Sequence, residues 1–290
     1  MEYVLVTGCL GMIGSKLTKQ LIAEGKNVLG IDRVDNCPLK YDNFCYVKMN
    51  LNDKQKLGEV FNNYNISKVI HLAALAHRSA EIEITWEKYY EINVVCSENI
   101  FDEALKRDIP VLFISTVDVF GITDETVDCS YECRPISDYA KSKLMAEKKL
   151  KELTEKNYGK ATIFRLSPVY TDEIKRDIQK RYYLKYPKVA YRIGKGTEYE
   201  FLYIDNAVKN FIDWINKDTY EDFEIKVVKD EKRVNTALCI EQEKKLGNAK
   251  TVIYLPRWAV MIPYKLTRKI FGEKNFVYML NKVVNPLKTK

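Results

Sequence analysis

Histidine is scarce in this sequence: only His71 and His77 occur among its 290 residues. The seven cysteines are scattered, and no two of them stand in a Cys-x-x-Cys pair. Zinc sites are built from histidines and closely spaced cysteines, so we expect no metal site. Scattered, unpaired thiols are typical of a reducing compartment, which indicates a cytoplasmic protein.

Long hydrophobic runs are also missing. No apolar stretch approaches the roughly 18 residues that a transmembrane helix needs. The opening residues Met1–Val4 place no basic stretch before the first apolar run, so the sequence predicts no secretory signal.

Net charge is absent from most of the chain. The formal charge of +7 lies entirely in residues 251–290, so the neutral remainder argues against nucleic-acid binding. This basic end also carries Trp258 and other large apolar residues, and such segments can lie on an anionic membrane surface. Alternatively, these residues complete the core of a small lobe. Pro256 and Pro263 favour that second interpretation because they divide the segment into short pieces.

Apolar runs alternate with helix-like segments in the first half of the chain. The predicted strands are Tyr3–Thr7, Asn27–Asp32, Phe44–Met49, Lys68–Ala73, Val111–Ser115 and Thr162–Leu166. The predicted helices are Met12–Ala23, Asp53–Tyr64, Trp86–Lys106 and Asp138–Lys156. This alternation predicts an α/β fold, a doubly wound parallel-sheet Rossmann fold.

The alternation stops after Pro168. Residues 170–200 are rich in Tyr, Arg and Lys, Glu224–Val228 is a further candidate strand, and short helices are expected from Pro256 onward. We therefore predict a dinucleotide-binding domain over 1–168, to which 200–230 returns. Residues 169–199 and 231–290 are expected to form a small substrate-binding lobe.

A glycine-rich turn follows the first predicted strand. Gly8, Gly11 and Gly14 stand in a Gly-x-x-Gly-x-x-Gly spacing that opens the first helix. Glycines there permit a tight turn and a close backbone approach to a pyrophosphate, which the helix amides and dipole attract. Asp32 ends the second strand, where a carboxylate accepts from a ribose 2′-hydroxyl and repels a 2′-phosphate. NAD is therefore favoured over NADP, although Arg33 weakens that exclusion and Asp32 can also be a simple turn residue.

Tyr139 and Lys143 lie four residues apart on a predicted helix, so both side chains share one face. A nearby ammonium stabilises a phenolate and makes tyrosine a usable base. A solvated helix face gives the same spacing by chance. Ser115 and Thr116 end the fifth strand, and either hydroxyl can bond the sugar hydroxyl that Tyr139 deprotonates.

Taken together, these motifs resemble the extended short-chain dehydrogenases/reductases, the NAD-dependent epimerase/dehydratase family that acts on nucleotide sugars. The resemblance covers about residues 1–210 and rests on TGCLGMIG (7–14), Asp32, VIHLAA (69–74), NVVCSENIFDEA (93–104), STVDVFG (115–121), YAKSK (139–143), FRLSPVY (164–170) and FLYIDNAV (201–208). It implies a homodimer, NAD as cofactor, Thr116 as the active-site hydroxyl, Tyr139 as acid/base and Lys143 as its partner.

The resemblance also implies the contacts of the cofactor and the substrate. The residues expected at the cofactor are Gly8, Gly11, Met12, Ile13, Gly14, Asp32, Arg33, Asn50, Leu51, Leu72, Ala73, Ala74, Asn93, Ser115, Pro168 and Val169. Those expected at the substrate are His77, Asp118 and Tyr203. The family's phosphate-binding arginine is missing, because the stretch Gly196–Glu200 contains none.

Val117 stands where the family's dehydratases carry a catalytic acid, so the sequence favours a 4-epimerase. In that reaction Tyr139 takes a proton from the sugar 4-hydroxyl, hydride passes from C4 to NAD, and the rotated 4-keto sugar takes it back on the other face. The motifs suggest a UDP-sugar substrate and a role in surface polysaccharide biosynthesis. A 4-ketosugar reductase would use the same residues, and a dinucleotide-sensing regulator would keep the fold without the chemistry.

Overall fold

The computed structural model describes residues 1–76, 84–157, 159–184, 186 and 189–290. Its strands are β1 (Glu2–Thr7), β2 (Asn27–Asp32), β3 (Phe44–Lys48), β4 (Asn65–His71), β5 (Val111–Thr116), β6 (Thr126–Val127), β7 (Ala161–Leu166), β8 (Val169–Tyr170), β9 (Ala190–Ile193), β10 (Glu198–Tyr199), β11 (Leu202–Tyr203), β12 (Phe223–Val228), β13 (Val234–Asn235), β14 (Val252–Leu255) and β15 (Lys288–Thr289). Its helices are α1 (Met12–Ala23), α2 (Lys54–Asn63), α3 (Trp86–Tyr90), α4 (Cys96–Leu105), α5 (Asp138–Asn157), α6 (Arg176–Gln179), α7 (Ile204–Ile215), α8 (Thr236–Lys245), α9 (Arg257–Phe271) and α10 (Asn275–Val284).

The chain forms two compact units. The first consists of Met1–Thr116, Asp138–Arg165 and Ala207–Lys226, and the second of Val117–Ser137, Leu166–Asn206 and Val227–Lys290.

A seven-stranded sheet with the strand order β12-β7-β5-β4-β1-β2-β3 organises the first unit. The central pairs β1–β2, β1–β4, β2–β3 and β4–β5 are parallel. Leu5, Leu29, Val69 and Val111 are fully buried on these strands. Strands covered on both faces read as continuous apolar runs rather than alternating ones, and this is the pattern that the sequence shows. The predicted doubly wound α/β fold is confirmed.

The long helix predicted over Trp86–Lys106 is interrupted. Between α3 and α4 the backbone makes one π-helical turn over Glu91–Val95. A π turn inserts an extra residue into the helical repeat and is frequent at functional sites. Here it contains the fully buried Asn93.

Short strand pairs and a separate core characterise the second unit. The pairs are β6–β15, β8–β11, β9–β14 and β10–β13. One cluster is built around the buried residues Ile178, Tyr182, Ala190, Tyr199 and Phe201. In the described ranges no helix is long and apolar enough to cross a membrane, and no group of side chains could hold a metal ion.

The division into units differs from the predicted one over Val117–Ser137, and also over residues 166–168, 200–206 and 227–230, all of which belong to the second unit. The longest of these segments is Val117–Ser137. The reason lies in its partners from the chain end: β6 pairs with β15, and Val127 packs in a cluster with Val227 and Leu287. Which unit binds cofactor and which binds substrate stays a prediction.

Candidate active site

The glycine-rich turn is sterically closed to larger residues. Gly8 has a φ of +68°, and a Cβ on it would lie 2.8 Å from the amide nitrogen of Ala73. A Cβ on Gly14 would lie 2.1 Å from the carbonyl oxygen of Gly8. Since no real Cβ tolerates such contacts, the backbone path of this turn requires glycine at both positions.

Helix α1 begins directly after this turn with Gly11 as its N-cap. Within the described ranges, no side chain caps the first turn of the helix. The amide groups at Met12 and Ile13 therefore lie at a helix start without a side-chain acceptor, which is a suitable anion site. The bare turn and the exposed amide end fit the pyrophosphate of a dinucleotide.

The Asp32 side chain connects the glycine-rich turn to the end of β2 through hydrogen bonds. One carboxylate oxygen accepts from the amide of Leu10 at 3.1 Å, and the other accepts from the amide of Arg33 at 2.8 Å. A carboxylate offers about four acceptor positions, so Asp32 can brace the turn and still accept from a ribose hydroxyl.

Five other predicted cofactor residues of the first unit, Asn50, Leu51, Leu72, Ala73 and Ala74, follow the carboxyl ends of β3 and β4. Leu72 and Ala73 donate through their amides to the backbone oxygen and the hydroxyl of Thr7, at 3.3 and 3.2 Å. Both residues are thereby brought beside the glycine-rich turn, and Ala74 follows them. Asn50 lies after β3 and is exposed, whereas Leu51 is buried in the core of the unit.

A chain of buried hydrogen bonds runs through His71 at the end of β4. The Ser97 hydroxyl donates to the carbonyl of Asn93 at 2.7 Å, so it accepts from Nε2 of His71 at 2.9 Å. Nδ1 of the same ring then accepts from the hydroxyl of Thr7 at 2.7 Å. Burial, assisted by the charge on Lys143, lowers the pKa of His71 to about 3, so this ring is neutral at physiological pH.

Asn93 extends the chain of hydrogen bonds to α5. Its side-chain oxygen accepts from the amide of Leu75 at 2.7 Å, and its side-chain nitrogen donates to Leu75 oxygen and to the Ser142 hydroxyl at 3.0 and 2.9 Å. Ser142 in turn donates to the carbonyl of Tyr139 at 2.8 Å. Asn93 therefore positions both the segment after β4 and the helix that carries the predicted acid/base.

Tyr139, Lys143 and Glu147 recur every four residues on α5 and therefore follow one face of the helix. Lys143 is only 2% exposed, and its ammonium lies 4.0 Å from the ring centroid of Phe113. Burial lowers the pKa of Lys143 to about 7, with the Glu147 carboxylate acting in the opposite direction. The Tyr139 ring packs against that of Tyr89, with 6.4 Å between their centroids.

The side chains of Ser115 and Thr116 differ in how deeply they are buried. Ser115 is buried, and its hydroxyl donates to Glu147 at 2.5 Å. The same carboxylate forms a buried ion pair with Arg165 at 2.7 Å. Thr116 is half-buried at the carboxyl end of β5. Ser115 therefore serves the buried ion pair, and Thr116 as the active-site hydroxyl stays a prediction.

Asp118, Pro168, Val169 and Tyr203 lie in the second unit. Asp118 forms an ion pair with Lys282 at 2.7 Å, and although burial alone would raise its pKa, this ammonium lowers it below its usual range. The Tyr203 hydroxyl donates to Asp172 at 2.8 Å. Pro168 and Val169 begin the β8 segment, where the Pro168 carbonyl accepts from Leu202 at 3.1 Å. His77 lies outside the described residues.

The structure adds supporting residues that motif reading missed: Thr7, His71, Ser97, Ser142, Glu147 and Arg165. Most of these polar side chains are fully buried. Part of the signal was present in the sequence, because Glu147 repeats the four-residue spacing after Lys143 and His71 is the one polar residue of the apolar run 69–74.

Two cavities open within the second unit. The Asp118 cavity is lined by Val117, Asp118, Pro168, Arg181, Tyr278 and Lys282 among others. The Arg257 cavity, of about 330 Å³, is lined by residues that include Lys195, Thr197, Arg233, Asn235, Arg257 and Lys288. In the described part of the chain, Arg233 is paired with Glu200, whereas Lys195, Arg257 and Lys288 form no ion pair.

Comparison with known proteins gives consistent results. The family described as the NAD dependent epimerase/dehydratase family matches residues 4–225. A UDP-glucuronate 4-epimerase of Thermodesulfobacterium geofontis is 31% identical over 238 residues, which cover 73% of this chain and 71% of the relative. An N-acetyl-alpha-D-glucosaminyl-diphospho-ditrans,octacis-undecaprenol 4-epimerase of Escherichia coli O157:H7 is 25% identical over 293 residues, covering 94% of this chain and 82% of the relative.

Solved structures share the fold. A UDP-glucuronic acid 4-epimerase of Bacillus cereus in complex with NAD superposes with a TM-score of 0.70 at 22% identity, over 88% of this chain and 87% of that one. A UDP-glucose 4-epimerase of Thermotoga maritima with UDP-glucose gives a TM-score of 0.68 at 21% identity, over 88% and 85% of the two chains.

Proposed function

The chain belongs to the NAD-dependent epimerase/dehydratase family, and on that premise we propose that it is a 4-epimerase of a nucleotide sugar, with a UDP-sugar as substrate. NAD is its cofactor, held by the turn Gly8–Gly14 and by Asp32. Both curated relatives described above are named as 4-epimerases, of a UDP-linked and of a diphospho-polyprenol-linked sugar.

The observation that carries the reaction type is that the chain has Tyr139 and Lys143 but an apolar residue, Val117, at the position of a dehydratase acid. Val117 is buried and packs with Phe120 and Val127, so it offers no proton at the position of a dehydratase acid. Tyr139 and Lys143, by contrast, suffice for reversible proton transfer at one hydroxyl group. A 4-epimerase needs no further acid, because the proton taken up in the oxidation returns in the reduction.

In the proposed mechanism, Thr116 and Tyr139 bond the sugar 4-hydroxyl, and Tyr139 removes its proton. The ammonium of Lys143 stabilises the phenolate form of Tyr139 through its positive charge. Bound NAD supplies a reversible hydride acceptor for C4. Tyr139 gives its proton back to the 4-oxygen after the 4-keto sugar has turned its other face.

The Arg257 cavity supports a substrate that carries a diphosphate. Lys195, Arg257 and Lys288 bring positive charge to one cavity, and the first turn of α9 begins there at Arg257. Anions bind at such clusters because both the side chains and the helix amino end are positive. These residues are therefore the candidates to bind a diphosphate in this chain, whose stretch Gly196–Glu200 contains no arginine.

We further propose that the enzyme is a cytoplasmic homodimer in surface polysaccharide biosynthesis. The free, scattered cysteines are consistent with a reducing compartment. The name of the Escherichia coli relative supports a role near lipid-linked sugars.

The direct test is product analysis with a panel of UDP-, GDP- and dTDP-hexoses and the corresponding free hexoses, each incubated with NAD. NMR should identify the 4-epimer of at least one nucleotide sugar, and the free hexoses should remain unchanged. Tyr139→Phe should bind NAD normally and lose at least about 100-fold in turnover, as expected for a positioned acid/base. A net 4-keto product, epimerisation of free hexose, or near-normal activity of Tyr139→Phe would contradict the proposal.

A further inference from the structure

Helix α9 has two apolar faces, and only one of them packs inward. Val260, Met261 and Tyr264 join a core cluster with Val277 and Tyr278 of α10. The other face carries four large apolar residues at a spacing of four, and these are exposed: Trp258 at 67%, Ile262 at 62%, Leu266 at 57% and Ile270 at 63%. Because the inner face already supplies the core, the outer stripe is not needed for folding.

This stripe continues at the end of α9 and along α10. Phe271 and Phe276 contact each other edge to face, with 5.3 Å between their ring centroids. Phe271, Phe276 and Leu280 are nearly half exposed, and Met279 is 60% exposed. The α9–α10 apolar face is defined here as Trp258, Ile262, Leu266, Ile270, Phe271, Phe276, Met279 and Leu280. A contiguous exposed surface of this kind marks an interaction site.

Positive charge borders the α9–α10 apolar face. Lys265 and Lys269 each follow a residue of the stripe by three positions and so lie along its edge, and both are exposed, as is Lys274 between the helices. The one acid of residues 251–290, Glu273, is paired with Arg268 at 2.9 Å. Within the described ranges, Lys265, Lys269 and Lys274 form no ion pair.

We propose that the α9–α10 apolar face docks on an anionic membrane surface. Trp and Phe suit the boundary between headgroups and acyl chains, and lysines beside them reach anionic headgroups. A second copy of the chain fits less well, because a twofold interface places the same patch on both partners. It would bring Lys265, Lys269 and Lys274 of both copies together without acids to compensate.

The test is flotation of the full-length protein with vesicles of phosphatidylcholine alone and of phosphatidylcholine with 30% phosphatidylglycerol. The parent should float with the anionic vesicles at low salt, and much less with neutral ones. Ile262→Ser combined with Leu266→Ser, and separately Lys265→Gln combined with Lys269→Gln, should each reduce the bound fraction at least tenfold. These exposed positions leave the inner face of α9 unchanged.

Matched controls come from exposed residues elsewhere in the second unit. Leu238→Ser with Leu246→Ser removes two leucines that are 65% and 64% exposed. Lys245→Gln with Lys250→Gln removes the same charge as the lysine variant. Both controls should float like the parent, and all variants should keep the parent's circular dichroism spectrum.

Three results would overturn the proposal. The first is equal, negligible flotation of the parent with both kinds of vesicle. The second is binding that the controls reduce as much as the stripe variants do. The third is sedimentation velocity in which the parent self-associates and the serine variant does not, while neither binds vesicles, because the occupant would then be a second copy.

Discussion

At the scale of single residues, Asp32 has an observed structural role and a proposed role in recognising the cofactor. Its carboxylate accepts from the amide of Leu10 in the glycine-rich turn, and a carboxylate has further acceptor positions that a ribose hydroxyl could use. Motif reading predicted only the second role, because the first depends on a turn that folds back onto the strand end.

Asp32→Ala should therefore weaken NAD binding at least tenfold and level or reverse the preference over NADP, since the charge that repels a 2′-phosphate is removed. Loss of the Leu10 hydrogen bond should cost about 1 kcal/mol of stability. Calorimetric titration with both dinucleotides measures the preference. Asp35→Ala, which removes an exposed carboxylate nearby, is the matched control and should behave like the parent. Stronger NADP binding by the parent would refute the assignment.

At the end of β5, the motif alone left Ser115 and Thr116 as alternatives, and the family resemblance implied Thr116. The structure adds the partner of Ser115. The Ser115 hydroxyl meets Glu147, which lies 32 positions further along the chain. Spacing alone gives no access to such a contact.

At the scale of elements, the hydrogen bonds through His71 connect β1, β4 and the π-helical turn before α4, and Asn93 and Ser142 extend them to α5. Such a chain fixes the glycine-rich turn relative to the helix of Tyr139. Each member is buried, and an unsatisfied buried polar group costs about 1–3 kcal/mol.

Because His71 is neutral in the folded protein, the free energy of unfolding should decrease at acidic pH. The pKa of His71 is about 3 in the folded protein, against about 6.5 when unfolded. Between these values the unfolded chain binds a proton that the folded chain does not, so stability falls as the pH falls below 6.5, by about 1.4 kcal/mol per unit. Below the folded pKa, this loss stops growing.

The measurement compares urea denaturation of the parent and of His71→Asn at pH 7 and pH 5. The variant should be less stable at pH 7, and the difference should narrow by about 2 kcal/mol at pH 5, because only the parent loses stability through this ring. Parallel pH profiles for the two proteins would show that His71 titrates normally.

The elements of the first unit could be predicted because burial on both faces of the sheet leaves continuous apolar runs. The start of β4 was missed for a physical reason. Asn65 and Ser67, which precede the predicted start at Lys68, are polar, and Ser67 is accommodated by donating to the carbonyl of Tyr3. Contacts between residues this far apart in the sequence cannot be predicted from local periodicity, and neither can the π-helical turn at Asn93.

At the scale of the whole molecule, the two units differ in how much of their structure could be predicted from the sequence. The first is a repeating strand–helix arrangement with motifs at the strand ends. The second consists of short strand pairs brought together from distant parts of the chain, such as β6 with β15 and β9 with β14. Its cavities and the exposed stripe of α9 could not be derived from pattern, although the segregation of charge into residues 251–290 marked the region.

The central claim, reversible oxidation at C4 with Tyr139 as acid/base, is tested most directly by isotope retention. The nucleotide sugar that is turned over, carrying deuterium at C4, is incubated with the protein and NAD in ordinary water, and the products are examined by NMR. The account predicts a mixture of the two 4-epimers in which both keep deuterium at C4, without net reduction of NAD. Loss of the C4 deuterium to solvent, or a product formed only with consumption of a reduced dinucleotide, would contradict it.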